Sequence, residues 1–68
     1  MLTEYDKWQI QREYEFAIKK KTLFLSDKGD YIKYNPLSQL FEVYSEQKSE
    51  LRTYGFLQNA IEYLDGLI

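Results

Sequence analysis

The side chains that most often do chemistry are thinly supplied in this chain. Ser26, Ser38, Ser45, Ser49 and the three threonines offer hydroxyls, but the sequence has no histidine to accept their protons and no cysteine to provide a thiolate. Nucleophilic acyl transfer therefore has no base and no alternative nucleophile. Glu13 and Glu15 are the carboxylates whose spacing suits a paired acid and base, because residues two apart share one face of a strand. Glycoside chemistry also needs a cleft that excludes water and raises one pKa, and a small meander offers little depth for one, so two solvated glutamates on an outer face are the plainer reading.

Metal and phosphate chemistry fare no better. Asp27-Lys28-Gly29-Asp30 resembles a fragment of a calcium loop, yet an EF-hand spreads its oxygen ligands over about twelve residues and closes on a glutamate. Without cysteine or histidine there is no zinc-thiolate or imidazole site and no disulfide. Gly29, Gly55 and Gly66 stand too far apart to build a phosphate-cradling loop. The expectation is a non-enzyme with no catalytic residue, no metal and no cofactor.

Binding chemistry is better represented. Lys19-Lys20-Lys21 supports single-stranded nucleic-acid binding, in which aromatic residues on a sheet stack bases and lysines hold phosphates. Residues 19–33 carry five lysines against two aspartates, but the segments on both sides are net acidic and the whole chain sums to −2. A nucleic-acid protein normally presents a broad basic face, and a lysine-rich turn that keeps a hairpin soluble accounts for the triplet equally well. Carboxylate mimicry of a phosphate backbone is weaker still, because the acidic residues are sparse. Tyrosine is the abundant type, at 7 of 68 residues. A core this small cannot satisfy that many hydroxyls, so several must be exposed, where tyrosine makes effective contact surface.

These residues have to be positioned by few elements. At 68 residues with 44% hydrophobic and 29% charged content the chain is too apolar for disorder and long enough for one small domain, residues 1–68. Its amino terminus lacks the features of a signal peptide, and its apolar runs are too short to span a bilayer, so a cytoplasmic protein with no membrane partner is expected. From Trp8 to Ile18 the apolar residues alternate at Trp8, Ile10, Tyr14, Phe16 and Ile18, a period of two that predicts a strand, with a helical turn allowed over residues 3–8. Residues 22–26 are a second β segment, closed by hairpin chemistry at Asp27–Asp30. Tyr31–Tyr34 and Gln39–Ser45 follow, separated by the strand-breaking Asn35-Pro36-Leu37-Ser38. Residues 50–55 suit strand or helix, and Gly55 favours strand. Leu57, Ala60, Ile61, Leu64 and Ile68 then mark one face of a helix closing near Asp65-Gly66.

The predicted architecture is α+β: an antiparallel β-meander of four to five strands packed on one C-terminal amphipathic helix. Alternation assigns Trp8, Ile10, Tyr14, Phe16, Ile18, Leu23, Leu25, Ile32, Tyr34, Phe41 and Val43 to the inner face. It leaves Phe24, Tyr31, Leu40 and Tyr44 on the outer face, and these four are the candidate partner-binding residues. The function this implies is a protein-interaction module, of the kind a small bacterial or phage accessory or inhibitor protein would be, with a larger protein or a second copy as partner. The alternative is a single-stranded nucleic-acid binder using sheet aromatics and Lys19, Lys20 and Lys21.

Overall fold

A computed structural model describes residues 1–16 and 22–68. In chain order they form α1 (Glu4–Phe16), β1 (Thr22–Leu25), β2 (Tyr31–Asn35), β3 (Leu40–Ser45), β4 (Glu50–Tyr54) and α2 (Leu57–Leu67). The four strands make one antiparallel sheet in the order β1-β2-β3-β4, so the meander and the α+β class hold. The number of helices does not, because two pack on the sheet rather than one.

The discrepancy lies in the first segment, which is α1 and not a strand. Thr3 Oγ1 accepts the Asp6 N–H, and Asp6 Oδ2 accepts the Thr3 N–H, each at 3.0 Å. This reciprocal cap starts a helix, and Glu4, Lys7, Gln9, Gln11, Arg12, Glu13 and Glu15 all propagate one well. Its inward side needs little: Ile10 is fully buried and Tyr14, one turn on, packs against the core. Trp8 and Phe16 remain 52% and 78% exposed. The even-numbered alternation thus merged a narrow core face with a solvent-facing ridge. Ile18, which belonged to the same expected strand, lies outside the described residues.

Each hairpin turn follows from its local chemistry. Between β1 and β2 the Ser26 N–H donates to the Asp30 carbonyl at 2.8 Å, and Gly29 takes φ +104°, a conformation that favours glycine. The next two turns are built alike. Gln39 and Ser49 both sit in the left-handed region, at φ 60° and 49°. Asn35 Oδ1 accepts the N–H groups of Leu37 and Ser38, and Ser45 Oγ accepts that of Lys48. Asp30, itself buried, joins separate turns, since Oδ2 accepts the Ser26 hydroxyl at 3.1 Å and Oδ1 accepts the Glu46 N–H at 2.7 Å.

The core lies between the sheet and both helices. Leu23, Ile32, Phe41 and Val43 meet Leu2 and Ile10 from the amino-terminal side and Leu57, Ala60, Ile61 and Leu64 from α2. Tyr14 and Tyr34 close one end against Phe41, the first edge-on and the second tilted, ring centroids 5.1 Å apart in each case. α2 follows the expected spacing but runs through Gly66 to Leu67, with the Ile68 N–H bonded to the Leu64 carbonyl. Asp65 joins the two helices: its Oδ1 accepts the Leu2 N–H at 2.8 Å and its Oδ2 lies 3.4 Å from Lys7 Nζ. That backbone donor first, then Lys7, holds the Asp65 carboxyl below its ordinary value against an opposing effect of partial burial.

Candidate interaction surface

Both helices pack on one side of the sheet, and among the described residues the other side is formed by the strands alone. Its composition follows from the pairing register, because directly paired residues point to the same face. One cross-strand row runs Leu25–Tyr31–Tyr44–Leu51 from β1 to β4. The next runs Thr22–Lys33–Glu42–Thr53, and beyond it Asn35 faces Leu40. Leu25 and Leu51 are 66% and 52% exposed.

The expected quartet is therefore only partly assembled. Tyr31 and Tyr44 lie side by side with rings stacked, centroids 5.3 Å apart and planes 19° from parallel. Leu40 shares their face but stands two register positions away, half-buried beside Asn35. Phe24 does not share it. A bulge between Thr22 and Phe24 shifts the β1 register, pairs Phe24 with the buried Ile32 and packs it against the core. The same shift turns Leu25, expected inside, to solvent. Lys19, Lys20 and Lys21 fall outside the described residues.

Polar groups surround the tyrosines. Lys33 Nζ stands 4.5 Å from the Tyr31 ring centroid, a cation–π contact. The Tyr44 hydroxyl donates to Glu46 Oε2 at 3.2 Å. Desolvation by its neighbours, reinforced by the Glu46 carboxylate, holds the Tyr44 phenol above its ordinary value. It stays protonated at neutral pH, as a donor at the rim.

A second apolar surface, absent from the strand reading, runs along the solvent side of α1. Tyr5, Trp8, Arg12 and Phe16 recur at helical spacing, and all are exposed. The Arg12 guanidinium carbon lies 5.1 Å from the Trp8 ring centroid and 5.4 Å from that of Phe16, while the Tyr5 and Trp8 rings are 6.0 Å apart. The 3-4-4 spacing was the signal for this ridge, but the competing alternation of even positions obscured it. Leu51 had a signal too, in the alternating Glu50-Leu51-Arg52-Thr53, once β4 is taken as a strand.

The catalytic candidates do not converge. Glu13 and Glu15 point about 200° apart around a helix rather than sharing a strand face, and Glu13 accepts a hydrogen bond from Gln9 Nε2 at 3.1 Å. A cleft of about 650 Å³ beside the β1–β2 and β3–β4 turns is lined by Asp27, Asp30 and Glu46 among others. Of these, Asp30 and Glu46 are already committed to the turn and to Tyr44 as described. Among the described residues no group of three or more acidic side chains is placed to hold a metal ion, and no helix is long and apolar enough to cross a membrane. No family model matches the chain, and no similar curated protein or solved structure was found.

Proposed function

We propose that this chain is a non-enzymatic protein-interaction module that acts in the cytoplasm as a small accessory or inhibitor protein, using its open sheet face to bind another protein surface. The observation that carries the reading is the uncovered row Leu25–Tyr31–Tyr44–Leu51, which crosses all four strands of the sheet. Scattered exposed apolar residues are ordinary on any protein. A contiguous row with Thr, Lys and Glu beside it has the anatomy of an interface, apolar at its centre and polar at its rim. The α1 ridge adds a second contact region of Tyr, Trp and Arg, the residue types that most often dominate binding energy.

The nucleic-acid alternative draws less support from the same face. Tyr31 and Tyr44 stack on each other rather than standing apart to receive bases, and Glu42 and Glu46 place carboxylates where phosphates would run.

The test is capture from an extract of the source organism by immobilised protein, comparing wild type with Leu25→Ser/Leu51→Ser. Both leucines are largely exposed, so the variant should fold. The reading predicts one protein retained in near-stoichiometric amount by wild type and lost by the variant. Equal retention by the two proteins would overturn the assignment of the face.

A further inference from the structure

We infer that the occupant of this sheet face is a second copy of the same chain, stacked face to face about a two-fold axis parallel to the strands and midway between β2 and β3. The inference rests on the proposed interaction role and names its partner. Its basis is the order of residues in the cross-strand rows. Rotation about such an axis exchanges β2 with β3 and β1 with β4 but leaves position along the strands unchanged. Each row of one copy therefore meets the same row of the other in reverse order.

The first row, Leu25–Tyr31–Tyr44–Leu51, has the same residue types in either direction. Leucine meets leucine, and tyrosine meets tyrosine. The second row, Thr22–Lys33–Glu42–Thr53, reverses into threonine on threonine, and it sets Lys33 of each copy over Glu42 of the other. Two complementary ion pairs thus arise from a single symmetry operation. An isologous interface requires this self-complementarity. These two rows are self-complementary across all four strands, whereas the Asn35–Leu40 pair beyond them is not and lies at the margin of the contact. The rotation of about 30° imposed by sheet twist turns the sheets about a normal through the middle of the patch, and residues of β2 and β3, within ~4 Å of that point, shift by only about 2 Å.

The charges are available for the role. Lys33 and Glu42 are cross-strand neighbours, yet among the described residues no ion pair joins them: the Lys33 amine lies over Tyr31, and the Glu42 carboxylate accepts from Asn35 Nδ2 at 3.4 Å. Four strands at ~4.8 Å spacing and five residues at ~3.4 Å give a patch burying on the order of 700 Å² in total, well below the ~1,200–2,000 Å² of stable complexes. The dimer is accordingly a weak and reversible one, populated at high protein concentration.

Sedimentation equilibrium from ~10 μM to ~1 mM tests this with four proteins: wild type, Lys33→Glu, Glu42→Lys and the double exchange. Wild type should shift from 8.3 kDa toward twice that mass. Each single reversal should weaken association about tenfold or more, because it sets like charges opposed at two symmetric places. An equimolar mixture of the two single variants should restore association, and so should the double exchange. Recovery on mixing reports contact between chains, because a repulsion within one chain is unaffected by adding the other. Melts of each variant establish that it folds. A wild type that remains monomeric at 1 mM overturns the inference while leaving the capture experiment to decide the wider interaction role. Dimerisation indifferent to these charges, or without recovery on mixing, overturns it as well and points to edge pairing through β1 or β4.

Discussion

Truncating Ile61 to alanine removes three carbons from the centre of the core. Ile61 is 3% exposed on the face of α2 that also presents Leu57, Ala60 and Leu64 to the sheet. Transfer of those carbons to water costs about 0.8 kcal/mol each, roughly 2.4 kcal/mol in all. The site has little freedom to collapse, since Ala60 and Leu64 beside it are fully buried and already in contact with the cluster. A cavity term therefore adds to the loss, bringing it to ~3–4 kcal/mol within the range of ~2–5 kcal/mol for such truncations. A domain of this size with no cysteine to form a disulfide draws only ~3–5 kcal/mol from its core, so most of the stability is at stake. Urea titration followed by circular dichroism at 222 nm should show Ile61→Ala with no native baseline at 37 °C, and Ile61→Val shifted by ~1 kcal/mol. A midpoint for Ile61→Ala within about 0.5 M of wild type would refute the docking of α2 on the sheet.

Other consequences are equally open to measurement. Asp65 has a folded carboxyl held below its ordinary value of 3.8, so its ionised form contributes stability that is fully present well above pH 3.8 and is lost as pH falls through the lower folded value. The melting-temperature gap between wild type and Asp65→Asn should be constant from pH 7 to about 5 and close below pH 4; a gap unchanged at pH 3 would contradict the Leu2 and Lys7 contacts. Gly29→Ala should cost about 1–2 kcal/mol through its positive φ alone, because the nearest atom to an added Cβ is Glu46 Oε2 at a comfortable 3.7 Å. Synthetic chain with D-alanine at that position should melt near wild type, and an equal loss for both enantiomers would mean that crowding, not backbone conformation, sets the cost. Fluorescence anisotropy with single-stranded oligonucleotides should give no binding tighter than ~10 μM at 150 mM salt, and a sub-micromolar Kd would reinstate the nucleic-acid reading.

The sequence carried the sheet well and the first helix poorly, for different physical reasons. β2, β3 and the turns that precede them are dictated locally: Gly29 and Asn35-Pro36 admit few conformations, and a meander pairs each strand with its neighbour in sequence. α2 was equally legible because Leu57, Ala60, Ile61 and Leu64 bury a full helical stripe. α1 buries only Ile10 and part of Tyr14, so its periodicity is too weak to compete with an accidental alternation of Trp8, Ile10, Tyr14, Phe16 and Ile18. The reciprocal Thr3–Asp6 cap and the helix-forming residues after it were the better guide. On the sheet face, Tyr31 and Tyr44 were placed correctly because the pairing of β2 with β3 is regular. Phe24 and Leu25 were interchanged because a bulge inverts the alternation by one residue, and a bulge depends on how two strands twist together rather than on the residues of either one.

The proposed interaction surface depends on which side of β1 faces solvent. Paramagnetic broadening of methyl and ring signals by a soluble gadolinium chelate reads this directly, with protein dilute enough to be monomeric. The Leu25 and Leu51 methyls and the Tyr31 and Tyr44 rings should broaden strongly, while Leu23, Ile32 and Val43 stay sharp and Phe24 broadens little. On raising the protein to ~1 mM, the Leu25, Leu51, Tyr31 and Tyr44 signals should regain protection together, and Trp8 and Phe16 on the α1 ridge should not. Strong broadening of Phe24 with protection of Leu25 in the dilute sample would contradict the bulge, break the Leu25–Tyr31–Tyr44–Leu51 row and remove the proposed interaction surface.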